Sequence, residues 1–275
     1  MDLSNNTRKV LLVSSGLSPQ VVTETLYALS MSPDDPWIPT EIHLITTQEG
    51  REIARHSLLN PEYGQFYRLV REYNLPKISF SMNNVHVIRN TKGEALSDIC
   101  SEIDNQGCAD TMVNIVREMT SDPESALHVS IAGGRKTMGY YLGYALSLYG
   151  RPQDKLSHVL VSRPYESHPE FFYPTRKSRL IHTRGERART YDTREAKVSL
   201  AEIPFVRLRD GLPLSLQKGS SSFSLTVKAA QNILSGAELI LDLENRVISI
   251  SGEIIEDIAP AELAFYSWMA RRCLD

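Results

Sequence analysis

The chain is short of cysteine: three residues in 275, Cys100, Cys108 and Cys273, with none in a Cys-x-x-Cys pair. That excludes a disulfide framework and a recognisable structural zinc motif. Net charge is also slight, −3 at pH 7, so no global field draws the protein to nucleic acid or an anionic membrane. No stretch approaches the roughly 18 consecutive apolar residues of a membrane span. The leader Met1 to Lys9 is polar and lacks a signal-peptide core, so a cytoplasmic location is expected. The turn after the first apolar run carries no Gly-x-Gly-x-x-Gly fingerprint, which disfavours a dinucleotide enzyme. Convincing histidine pairs and acidic clusters for two metals are missing, so neither a metal nor another cofactor is expected.

What is present is a repeated alternation of strand and helix. Lys9–Val13, Glu41–Thr46, Leu127–Ile131 and Leu156–Val161 are short apolar runs, with two weaker ones at Ile78–Phe80 and Val85–Ile88. Helical spacing follows: Val22, Leu26 and Leu29 form a stripe over Pro19–Ser30, with Ser18 placed as N-cap and Pro19 as the first helical residue. Further helices are expected over 49–59, 62–73, 96–119 (broken near Asn105-Gln106-Gly107) and 136–149. Such a chain predicts an α/β, Rossmann-like fold with a mostly parallel sheet, occupying residues 1–164.

The next region, 165–202, is basic. Arg176, Lys177, Arg179, Arg184, Arg187, Arg189 and Arg194 face only Glu186 and Asp192 across the span Arg176–Arg194. It reads either as a solvated hairpin or as a mobile cover whose arginines, Arg176 and Arg184 among them, grip an anionic ligand. Residues 203–275 suggest a small C-terminal α+β unit: a helix near 225–234, a hairpin at Glu244-Asn245 and a last helix to about Arg272, loosely winged-helix-like. That last helix holds only Arg271 and Arg272 as cations, so DNA binding is the lesser reading.

One motif stands out, Ser130-Ile131-Ala132-Gly133-Gly134-Arg135-Lys136-Thr137-Met138-Gly139. Paired glycines at a strand end permit a tight turn with the backbone close to a ligand, and a helix start beside two cations favours an anion. The plainer reading is a turn with solvated charges. Ser14, Ser15, Gly16 and Gln20 after strand one, and Thr47, Gln48 and Glu49 after strand two, fall where open α/β sheets present ligands. Glu24 is equally suited to buttressing the fold and to touching a ligand. Gly139 and Gly143, four apart, permit close helix approach and would suit a dimer face.

Val13-Ser14-Ser15-Gly16, Pro19-Gln20-Val21-Val22-Thr23-Glu24-Thr25, Thr46-Thr47-Gln48-Glu49-Gly50 and the glycine motif together resemble CRISPR-associated proteins of the NE0113 type, Csm6-like ring nucleases with a CARF domain. The resemblance covers about residues 9 to 164, and extends more softly through Phe171-Phe172-Tyr173-Pro174 and Pro260-Ala261-Glu262-Leu263. It implies a homodimer that binds cyclic tetra-adenylate (cA4) across its two-fold axis. Cleavage to linear oligoadenylates would switch off type III CRISPR antiviral signalling. By the same resemblance Lys136 takes the place of the lysine in the glycine turn, and Ser14 or Ser15 that of the serine after strand one. Ala132, Gly133, Gly134, Arg135 and Thr137 would line the ligand. The nearest approach to an effector ribonuclease's Arg-x(4–6)-His is Arg51…His56, inside the sensor region, which favours a stand-alone ring nuclease. The alternative is a non-catalytic sensor acting on a partner protein or DNA.

Overall fold

Four consecutive apolar residues, Val10 to Val13, are wholly buried in β1 (Lys9–Ser14), as expected of a strand covered on both faces. This strand is the middle of a six-stranded sheet in the computed structural model, which describes residues 7–166, 168–183, 189–212, 216–217, 222–234, 239–250, 253–255 and 258–273. The elements that follow are α1 (Gln20–Ser30), β2 (Glu41–Thr46), α2 (Gln48–Ser57), α3 (Gln65–Tyr73), β3 (Val85–Val87), α4 (Glu102–Met119), β4 (Ala126–Ser130), α5 (Lys136–Tyr149) and β5 (Lys155–Val161). A hairpin of β6 (Leu180–His182) and β7 (Thr190–Asp192) precedes β8 (Val198–Glu202).

Strand order is β3-β2-β1-β4-β5-β8. The first five run parallel, and β8 returns antiparallel along β5. Val13 lies opposite Leu44 on one side and Ser130 on the other, so the carboxyl ends of β1, β2 and β4 finish together. Between β1 and β4 the chain reverses the direction in which it adds strands. Loops leaving such a reversal diverge and open a crevice, the place where open α/β sheets take ligands.

The core follows the apolar stripes. Leu11, Val13, Val22, Leu26, Ile42, Leu44, Phe66 and Leu69 pack together, with Phe172 and Tyr173 closing the cluster from the later segment. A buried ion pair ties the opposite end: Arg151 Nη2 meets Asp154 Oδ1 at 2.8 Å, and the same oxygen accepts the backbone N–H of Leu127 at 2.9 Å.

Several expectations shift in detail. Helix α1 starts at Gln20 with Pro19 as its N-cap, and Ser18 makes no side-chain cap. Helix α4 is unbroken at Asn105–Gly107 and starts later than 96, because Ser101 and Asp104 close a reciprocal capping box there. A Cβ on Gly139 would face Ile131 and one on Gly143 would face Leu156, so this spacing serves packing on the chain's own sheet, not an outward face. The basic segment forms the β6–β7 hairpin, held by a small core of Tyr165, Phe171, Ile181 and Ala196. Arg184 and Arg187 lie outside the described residues.

The chain divides into two units, Met1–Phe223 and Ser224–Asp275. Helix α6 (Phe223–Leu234) leads into the second, where β9 (Leu239–Asp242), β10 (Val247–Ile250) and β11 (Glu253–Ile255) form an antiparallel sheet and α7 (Pro260–Arg272) follows. The fold is thus α/β with a mostly parallel core and added C-terminal α+β elements. Among the described residues no helix is long and apolar enough to cross a membrane.

Candidate functional site

Two turns meet at the crevice. In the β1–α1 turn the Ser14 hydroxyl donates to Gly133 O at 2.9 Å and the Ser15 hydroxyl to Ser18 O at 2.9 Å. Both serines are buried, and each has given its one proton to a backbone carbonyl, which leaves neither able to donate to a phosphate in this arrangement. In the β4–α5 turn Gly134 has φ +91°, a conformation that disfavours any side chain. Gly133 is needed for close approach: a Cβ there would sit 2.9 Å from Ser14 O and from Val21 Cγ2. The two turns are therefore locked face to face by one hydroxyl and one missing side chain.

A cavity of about 280 Å³ opens above them, lined by Gly16, Leu17, Ser18, Thr47, Glu49, Ser97, Asp98, Gly134, Arg135 and Met138. The start of α5 gives it the positive end of a helix dipole. Thr47 caps α2 by accepting from Gly50 N at 3.2 Å, which fixes Glu49 in the first turn. Arg135 is paired with Asp98, its Nε donating to Oδ1 at 2.9 Å. That hydrogen bond, helped by the Ile99 N–H, holds the Asp98 carboxyl down at about 2.

A second cavity, of about 410 Å³, lies on the other side of the same rim and shares Ser18 and Gly134 with the first. Gln20, Glu24, Ala132, Gly133, His158, Glu166 and His168 are among its walls. Burial, followed by the charge of Glu166, raises Glu24 to about 8. His168 accepts from Glu170 N at Nδ1 and donates from Nε2 to His182 O at 3.2 Å, which fixes its neutral tautomer and sets the β6–β7 hairpin beside this cavity.

Of the residues expected from sequence, Gly16, Thr47, Glu49, Gly134 and Arg135 line the first cavity, and Gln20, Ala132, Gly133 and Gly134 the second. Lys136 and Thr137 begin α5 as exposed residues outside both linings. Gln48 is exposed, with its backbone N–H donating to Leu96 O at 2.8 Å. Arg176 lies over the Tyr73 ring at 4.8 Å and meets neither cavity. Ser97 and Asp98, which arrive on the loop after β3, carry no motif that marks them as site residues. His158, Glu166 and His168 were equally unforeseen; an i to i+4 spacing of Gln20 and Glu24 on a buried helix was the available signal. Among the described residues no three His, Cys, Asp or Glu side chains gather as a metal site.

A parallel sheet with a Gly-Gly-Arg-Lys turn at its strand-order reversal defines a Rossmann-like domain with its crevice at the usual ligand position. The chain belongs to the family described as CRISPR-associated protein NE0113, which it matches over residues 18–236. No curated protein matches it. Among solved structures it is similar to Enterococcus italicus Csm6 bound to cyclic hexa-2′-fluoro-hexa-dAMP, at 14% identity and a TM-score of 0.32. That match covers 60% of this chain and 36% of the other, so it spans little more than a third of the Enterococcus protein.

Proposed function

We propose that the protein is a ring nuclease that binds cyclic tetra-adenylate as a homodimer and cuts it to linear oligoadenylates, ending a type III CRISPR signal. The observation that carries this reading is the convergence of the Gly133-Gly134-Arg135 turn with Gly16 and Thr47 on one crevice of an NE0113-family chain. RNA supplies its own nucleophile, the ribose 2′-OH. Attack on the adjacent phosphorus, in line with the departing 5′ oxygen, leaves a 2′,3′-cyclic phosphate and a 5′-hydroxyl. Orientation and charge stabilisation supply most of the modest acceleration such a reaction needs. In this proposal Lys136, exposed at the start of α5 with no ion-pair partner among the described residues, neutralises charge on the phosphorane. Ser14 and Ser15 act as positioning residues that hold the two turns in register.

Incubation of excess protein with radiolabelled cyclic tetra-adenylate in EDTA tests the reaction directly. Linear products with a 2′,3′-cyclic phosphate are expected, and an intact ring overturns the reading. Lys136→Ala should retain binding and lose cleavage. One observation favours the second reading, a sensor that holds the ring without cutting it: the Ser14 and Ser15 hydroxyls are spent on backbone carbonyls, and the Arg135 guanidinium beside the turn is paired with Asp98. Tight binding with an intact ring would establish it.

A further inference from the structure

Two residues one turn apart on α1, Gln20 and Glu24, line the second cavity, and each carries a side-chain oxygen without a hydrogen-bond partner among the described residues. Gln20 Oε1 is buried without a hydrogen-bond partner, while its Nε2 is anchored by donating to Pro169 O at 3.2 Å. Glu24 is only 6% exposed and lines the same cavity. Among the described residues no hydrogen bond or ion pair engages its carboxyl. Buried polar groups left in this state carry a desolvation cost that a ligand can relieve.

The chemistry of the pair narrows the ligand. Its raised pKa, about 8, keeps Glu24 neutral at pH 7, and a neutral carboxyl offers one donor beside one acceptor. Gln20 Oε1 adds a further acceptor at the same wall. The complement is a flat group with an amino group of two hydrogens next to a ring-nitrogen acceptor. The six-membered edge of adenine has that pattern: the amino hydrogens satisfy the Glu24 carbonyl oxygen and Gln20 Oε1, and a ring nitrogen accepts the Glu24 O–H. Hypoxanthine and guanine place a carbonyl oxygen where the amino group should be, facing two acceptors. Val159, Leu160 and Val161 supply apolar wall for the faces of the ring.

We propose that this cavity is a base subsite in which Gln20 and Glu24 read the amino edge of adenine. It rests on the ring-binding reading above only for the identity of the larger ligand. Because the cavity shares Ser18 and Gly134 with the turn-side cavity, a base seated here lies beside a phosphate on the glycine turn.

Calorimetric titration of the full chain with cyclic tetra-adenylate, cyclic tetra-inosinate and AMP tests the subsite. Adenylate should outbind inosinate by about ten-fold or more, the scale of one well-made bidentate base contact. Glu24→Leu is expected to erase that preference, whereas the conservative Glu24→Gln, with a donor still beside an acceptor, should retain it. Gln20→Ala removes one acceptor without altering the buried carboxyl and should lower the preference part of the way. Wild-type protein that binds both rings equally, or a folded Glu24→Leu that still prefers adenylate, overturns the proposal. AMP separates the two readings. AMP binding that depends on Glu24, with no ring bound, would sustain the subsite and sink the ring reading. Ring cleavage unchanged in Glu24→Leu would do the reverse. If neither AMP nor either ring binds, both fall.

Discussion

Arg135 spends its guanidinium on Asp98: Nε donates to Oδ1 at 2.9 Å, Nη2 to Oδ2, and both residues line the turn-side cavity. The cation nearest the glycine turn is therefore already neutralised, and an incoming phosphate must compete with a carboxylate from the loop after β3. Removing that competitor should help an anion. Asp98→Asn is expected to tighten binding of cyclic tetra-adenylate by about two- to five-fold, the scale of an exposed ion pair. Arg135→Ala should weaken it. Titrations at low and high salt check the cause, because the gain must shrink as salt screens the exchange.

Glu24 links stability to pH. Its folded carboxyl titrates at about 8 against an ordinary 4.5, so the unfolded chain gives up this proton first. Stability from this group is whole below pH 4.5 and falls as pH rises from there towards 8. Glu24→Gln removes the penalty and should stabilise the protein by roughly 3 kcal/mol at pH 7, and by little near pH 4. Urea unfolding at the two pH values measures the difference. An equal gain at both would mean that packing, not ionisation, is responsible.

The glycine turn separates two kinds of substitution. Gly134→Ala forces a side chain into φ +91° and brings its Cβ within 2.6 Å of Met138 Sδ. A loss of about 1–3 kcal/mol is expected, with ring binding weakened because the rim is distorted. Gly139→Ala meets nothing nearer than Ile131 Cβ at 3.5 Å and should be neutral, or stabilise by up to about 1 kcal/mol through helix propensity. Thermal melts of the pair would expose an error if the two behaved alike.

At the far end of the sheet, Arg151→Ala leaves Asp154 buried without its partner. Both side chains are almost fully covered, at 7% and 0% exposure. A loss of about 3–5 kcal/mol is expected, the cost of an uncompensated buried charge. Double replacement of Arg151 and Asp154 by apolar residues should recover much of it, and denaturant titration of the three proteins would test the account.

Much of the parallel core was legible because strand and helix periods are local. Glu41–Thr46 and Lys136–Tyr149 appear at the expected residues, since an apolar β-branched run and a glycine-to-helix transition need no distant partner. Gly107 misled. It reads as a helix breaker, yet a Cβ there would lie 2.3 Å from Arg89 O, so this glycine lets α4 approach the loop after β3. The glycine turn itself was visible as half of a site. Asp98 was not, because only tertiary folding carries its loop back to Arg135, just as only tertiary folding brings Pro169 O to the Gln20 amide.

The rim that the two cavities share has one more consequence. Ser18 and Gly134 line both cavities, and Gly134 puts no side chain between them. If the proposed nucleotide binds, its base and its phosphate would therefore meet the protein at the same two residues, so a change at Gly134 should disturb both halves of the ligand together.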